Sequence, residues 1–594
     1  MQTTWNLNDL FTSDNDPAIE LEKQKLQKQA NDFVAKWEHR TDWLENATSL
    51  AQILTDYESW KADGGLYGKV GYYFFLRTSQ NLLDSELKAK QNQINEQSTR
   101  IANQMQFVEL RISNISKEAQ QRFLTSSELA HFKHFLERIF AQKKHLLSEK
   151  EEKIVSSFAF HTEKWSGMVA QLLSKEEAFV DNKLLTFEEI LAKTYGKSET
   201  TRDEAAKQFN QIILKHSDVA EHELNALLQH KKITDELRGF ARADSARLFS
   251  DDINEKIVDT LLNTLQKNIS ISRDYYVLKA KLLGKQKLAY HERNVSYGSI
   301  SKTYTFEEAV VILRRVFSKL GNEFLAIFNT YLEQGRIDAY PAKGKRGGAF
   351  MTADGGITNP IFILLNFTGS LQDVQTFAHE MGHACNYEMM KKTSNALTWE
   401  TSYLTLESPS TFMEDFVSED ILAHTTDKEE KLSILMSKIN TDVSTIFRQT
   451  SLYEFELELH AEFRKKGYLS RTEIGSLFQK HMANYTGEAV EQSEGSENWW
   501  IYVQHIRYMF YVYSYAAGLL ISKSMQKRLK ENLQFIEHIK QFYSSGMSKS
   551  PLHILQDALG IDATKSDVWQ EGLDQTAQLL KQAQQLAKDL GHIE

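Results

Sequence analysis

The sequence predicts a mainly α-helical chain of two or more lobes, and three observations carry that prediction. Its 594 residues exceed what one compact hydrophobic core serves. The prolines are Pro17, Pro341, Pro360, Pro409 and Pro551, so the long interval from Pro17 to Pro341 lacks the residue that breaks helix interiors. Within that interval, runs such as "LKAKQNQINEQSTRIANQMQFVELRI" space their apolar residues at three and four, the period of a helix with one buried face. No strict heptad persists, which sets a coiled coil aside, and there is no internal repeat.

Composition narrows the function classes. Apolar residues make up 41% and charged residues 25%, with a net charge of −10, ordinary for a globular protein. No basic stripe is present, so nucleic acid is not an expected partner. The single cysteine, Cys385, has no internal partner and suits a reducing compartment. The opening "MQTTWNLNDLF" lacks the basic and apolar regions of a signal peptide. The most apolar uncharged run, Tyr508 to Ser522, is too short for a bilayer core of roughly 30 Å. A cytoplasmic protein with no membrane partner is expected.

Along the chain, a polar loop at Gly196 to Thr200 precedes Thr201-x-x-Glu204, a capping pattern that predicts a new helix. The division is placed there, with a helical lobe over residues 1–200 and a second region over 201–594. Helices continue to about Glu333. At Gly335 the character changes. "GRIDAYPAKGKRGGAFMTADGGITNPIFILLNF" is rich in glycine and ends in a β-branched and aromatic run, Ile361 to Phe367, which reads as turns and strands. A short sheet here would lie beside the next helix and could hold an extended chain by strand addition; the alternative is an ordinary buried hairpin.

That next helix carries "TFAHEMGHACN". On a helix, positions four apart share a face, so His379 and His383 can offer ring nitrogens to one ion. Glu380 is rotated by about 100°, within reach of a water on that ion without binding it, and Gly382 keeps the face uncluttered. Two incomplete copies, His222-Glu223 followed by Ala226 and His291-Glu292 followed by Val295, read as solvated helix faces. A third protein ligand is still needed. Asn386 is a poor ligand suited to a supporting role, and Cys385 points away and reads as packed. The stronger candidate is Glu407 in "LTLESPSTFMEDF", where Pro409 and Thr411-x-x-Glu414 mark a helix start. Glu414, one heptad further, would orient a ligand histidine or else cap the helix.

The segments "WNLNDLF", "GKRGGAF", "NF", "TFAHEMGHA", "ESPSTFMEDF" and "YTGEAVEQSEGSENWWIYVQHIRYMFYVYSYAAG", in this order, resemble the oligoendopeptidase F family, which is similar to the thimet oligopeptidase group of zinc endopeptidases. The resemblance spans most of the chain. It implies one zinc ion per chain, held by His379, His383 and Glu407, with Glu380 as general base. It implies a large helical body of two lobes, with a small β-sheet beside the metal-bearing helix and a deep channel. Residues 201–594 would then be the catalytic region, and oligopeptides the substrates. Family members often carry a further histidine where Asn386 stands. The tyrosine-rich run "HIRYMFYVYSYAAG" reads by composition as core. The resemblance instead implies that His505, Tyr508 and Tyr515 bind the substrate carbonyl and stabilise its oxyanion, with Tyr511 and Tyr513 as further candidates. Two rivals remain at this stage: a zinc carboxypeptidase or aminopeptidase on a similar helix, and a non-catalytic peptide-binding scaffold.

Overall fold

The computed structural model describes residues 2–62, 68–148, 150–152, 154–155, 165–298, 302–354 and 356–594. Helices dominate from end to end, with a few short strands between them. The buried apolar residues form three clusters. One joins Trp37, Trp43 and Trp60 to Ile101, Ile112 and Leu136 within the first helices. A second gathers the opening segment, Trp5, Leu7, Leu10 and Phe11, around Tyr72 and Phe74. The third and largest runs from Val169 to Ala587. Among the described residues, no helix is long and apolar enough to cross a membrane.

The amphipathic run quoted above forms two helices, Ser85–Met105 and Phe107–Ser113. Asp84 starts the first by accepting the backbone N–H groups of Glu86 and Leu87, which would otherwise lack partners. The predicted cap at Thr201 is displaced. The helix spans Glu199–Lys215 with Ser198 as its cap, while the Thr201 hydroxyl donates to Asp181 and Glu204 accepts the Asp181 N–H. The pattern therefore fastens the helix to a preceding hairpin turn.

The glycine-rich stretch forms a three-stranded sheet. Phe362–Leu364 is central, parallel to Ile337–Asp338 and antiparallel to Phe350–Thr352, with Met351 opposite Ile363. Of the run Ile361 to Phe367, only these three residues are strand. The opening segment secures the sheet: Trp5 donates its indole N–H to the Ile363 carbonyl at 2.8 Å, and the Ala339 N–H donates to Thr3. Phe350–Thr352 is left at an edge, beside the helix Leu371–Met390.

That helix begins with a reciprocal cap between Ser370 and Asp373. It packs against Ser408–His424, which packs in turn on Tyr513–Glu531. The loop joining the first two reaches the first cluster, which Leu397 enters.

In the two incomplete His-Glu copies the glutamates are not solvated, although His222 is exposed. Glu223 and Arg507 are a fully buried ion pair at 2.8 Å. Glu292 is buried between Arg202 and Lys285, at 2.8 and 2.6 Å, in a short turn and not on a long helix. Arg507 and Arg202 are distant in sequence from the glutamates they pair with, so local spacing could not reveal them.

Candidate metal centre and substrate groove

His379 and His383 lie one turn apart on the helix Leu371–Met390, with ring centroids 5.0 Å apart. Glu407 stands immediately before the following helix, Ser408–His424, and brings its Oε2 to 3.4 Å from His379 Nε2 and 3.6 Å from His383 Nε2. One ligand atom from each residue lies within 4.8 Å of the others, so the three could hold a metal ion. The donor set, two imidazole nitrogens and a carboxylate oxygen, suits zinc and leaves a coordination position for water. Burial alone would lower the His379 pKa, but hydrogen bonds to Glu407 and Glu414 hold it well above the ordinary imidazole range. Burial likewise opposes the charged form of Glu407, yet contacts with His379 and His383 drive its pKa well below the usual carboxylate range.

Glu414 sits 3.2 Å from His379 Nδ1, on the ring edge away from Glu407, and so fixes which way the imidazole faces. Thr411 is no cap: the helix has already begun at Ser408, and the Thr411 hydroxyl donates back to the Glu407 carbonyl. Asn386 donates to the Tyr543 carbonyl at 2.6 Å in a buried position, so it ties the helix to Ile536–Tyr543. Cys385 is fully buried, and burial raises its thiol pKa.

Glycine allows the close packing. A Cβ on Gly382 would stand 2.4 Å from the Pro409 carbonyl oxygen, and one on Gly518 would stand 2.6 Å from the Glu407 Cβ. Gly382 thus does more than clear a face; it lets the glutamate-bearing helix lie directly on the histidine-bearing one. Gly518 holds Glu407 from the opposite side. Its role lies in a contact more than a hundred residues away in sequence, and no local signal marks it.

A cavity of about 890 Å³ opens over His379, Glu380 and His383, with the edge strand Phe350–Thr352 along it. A second of about 810 Å³ meets it at Ala349, His379, Glu380 and Glu414 and runs past the start of the helix. Glu380 is itself largely buried and lines both.

His505 and Tyr515 also line the first cavity. The His505 ring stacks on Tyr511 at 5.7 Å and lies 6.0 Å from Tyr515. Tyr508 is different. It is 58% exposed, does not line the cavity, and reaches the group only through Tyr511. The expected helical spacing fails because the short helix His505–Tyr508 ends there, and Met509 and Phe510 turn the chain through positive φ before Tyr513–Glu531 begins. Tyr513 is buried and donates to Asp251 at 2.6 Å, a packing role. Arg507 anchors the short helix through Glu223. Burial, helped by the charge of Arg448, pushes the His505 pKa down to about 4, so the ring is neutral near pH 7. Arg448 lies in a wide helical turn, Ser444–Arg448, which sequence periodicity cannot mark.

A helical body with two imidazoles and a carboxylate converging beside two adjoining cavities fits the metallopeptidase class. Sequence comparison agrees and is more specific. The chain belongs to peptidase family M3, whose profile matches residues 192–575, while an oligopeptidase F profile matches residues 111–166. An oligoendopeptidase F homolog of Borreliella burgdorferi is 26% identical, covering 94% of each chain. Oligopeptidase PepF of Bacillus subtilis is 24% identical, over 98% of this chain and 88% of that one. The crystal structure of oligoendopeptidase-F from Enterococcus faecium has the same fold, with a TM-score of 0.72 at 18% identity, covering 96% of this chain and 99% of that one.

Proposed function

We propose that the protein is a zinc endopeptidase that hydrolyses internal bonds of short peptides. The observation that carries this reading is the meeting of two cavities at His379 and Glu380, which leaves room for a chain on both sides of the cut. A residue-by-residue exopeptidase would instead need one side closed. The edge strand Phe350–Thr352 lines the first cavity and suits an extended substrate. His379, His383 and Glu407 would hold the metal. A zinc ion held there would supply Lewis acidity toward the scissile carbonyl and would lower the pKa of a water to about 7. Glu380 takes the proton from the attacking water and returns it to the leaving amine. Neutral His505 and the Tyr515 hydroxyl, which line the first cavity, donate to the oxygen that becomes negative, and Tyr511, stacked on His505 and beside Tyr515, joins them in the place expected of Tyr508. Each such donor contributes roughly 3 kcal/mol. A cytoplasmic site of action suits the buried, unpaired Cys385, and the division into lobes is read as before, near residue 200.

The test uses an internally quenched peptide blocked at both ends. Cleavage that stops with a chelator, returns with zinc, and falls by 10²–10⁴ in Glu380→Gln at unchanged metal content supports the proposal. Release of single residues from free termini, with the blocked peptide left intact, would overturn it.

A further inference from the structure

Behind the tyrosine segment lies a carboxyl group that the mechanism does not use. Glu456, on the helix Gln449–Lys466, is fully buried. Its Oε2 accepts the Phe510 backbone N–H at 2.7 Å, and its Oε1 has no hydrogen-bond partner. Phe510 has φ +61° and Met509 φ +50°, the left-handed region that side chains disfavour. These two residues reverse the chain between His505 and Tyr511, whose rings they bring face to face. The Phe510 ring is buried against Tyr453 and His460, 5.6 and 4.7 Å away. An unpaired carboxyl oxygen in a core is costly, so the bond made by the other oxygen calls for a role that offsets it.

We infer that Glu456 is a positioning residue for catalysis: by accepting the Phe510 N–H it holds the Met509–Phe510 turn in its left-handed conformation and so sets Tyr511 against His505, whose ring lines the cavity above His379 and Glu380. This inference rests on the proposed oxyanion role of His505 and Tyr511. Burial raises the Glu456 pKa to about 8. The carboxyl is then largely protonated near pH 7, and a glutamine amide reproduces both its shape and its acceptor oxygen. Leucine keeps the bulk and removes the acceptor. Glycine at 509 favours positive φ and lowers the cost of the turn without the carboxyl.

The experiment compares kcat and KM on a quenched peptide, metal content and thermal midpoint for Glu456→Gln, Glu456→Leu, and Glu456→Leu combined with Met509→Gly. Glu456→Gln is expected to keep at least half of the wild-type kcat. Glu456→Leu should lose kcat by 10- to 100-fold with KM within about threefold and metal content unchanged. Adding Met509→Gly should recover at least fivefold of that loss, which simple repair of a packing defect would not do. A folded Glu456→Leu protein with wild-type kcat overturns the inference, as does a double variant with no recovery. Should Glu456→Leu fail to fold, hydrogen exchange at the Phe510 amide of the wild-type protein decides: strong protection supports the inference, and exchange at the rate of an open loop overturns it. His505→Leu and Tyr511→Phe with unchanged kcat would instead remove the oxyanion reading on which the inference stands.

Discussion

Gly518 touches Glu407 so closely that a Cβ added to it would lie 2.6 Å from the Glu407 Cβ and 3.0 Å from its carbonyl carbon. Both are backbone or stem atoms that cannot swing aside. Gly518→Ala is therefore expected to destabilise the protein by about 1–3 kcal/mol and to weaken metal retention by shifting Glu407. Calorimetry together with metal analysis after dialysis checks this; a variant that keeps both its midpoint and its metal would show that the helices part without consequence.

Glu414 acts on the centre through His379 Nδ1 at 3.2 Å. Its replacement by alanine leaves the three ligands in place but frees the ring to turn. Metal affinity is expected to fall 10- to 100-fold, measured by competition with a chromophoric chelator. Equal affinity would reduce Glu414 to a surface carboxylate.

His505 makes a pH-dependent contribution whose sign follows from burial. Its pKa of about 4 lies below the ordinary 6.5, so the unfolded chain binds the extra proton more readily between those values. The stability in question is fully present above about pH 6.5 and is lost as pH falls towards 4, by at most about 3 kcal/mol. His505→Leu should flatten that part of the stability curve in denaturant titrations. It should also lower kcat by 10²–10³ without changing the shape of the rate profile between pH 5 and 8. A new or missing inflection in that window would mean the ring titrates during turnover.

Asn386 provides the contrast. Its amide satisfies the buried Tyr543 carbonyl at 2.6 Å, so Asn386→Ala is expected to cost about 1–3 kcal/mol in stability while metal content stays at wild-type level. A marked loss of metal in a folded variant would place Asn386 among the groups that tune the centre.

What could be read from the sequence follows the range of each interaction. His379 and His383 are one helical turn apart, and their shared face is a local property of the chain. Glu407 needed a second helix laid on the first; the resemblance to a known family pointed to it, and the structure brings it there. Gly518, Arg448 and Glu456 act across long sequence separations, and nothing beside them announces their partners. Tyr508 and Tyr511 show a second kind of limit. The resemblance points to Tyr508, but two left-handed residues, Met509 and Phe510, redirect the chain between the tyrosines. Glu223 and Glu292 were misread for a related cause, since a charged residue on a helix looks solvated until a buried arginine from elsewhere is seen against it. The small sheet is legible in glycine and β-branched content, but the indole of Trp5 that fastens it comes from the opening segment, more than three hundred residues earlier.

Cys385, sealed in the interior with its thiol disfavoured from ionising, has a practical consequence. Thiol-directed dyes and spin labels find no background target on the native protein. A cysteine introduced on either wall of the groove would then be the sole reporter, and the distance between walls could be followed during turnover without first removing anything.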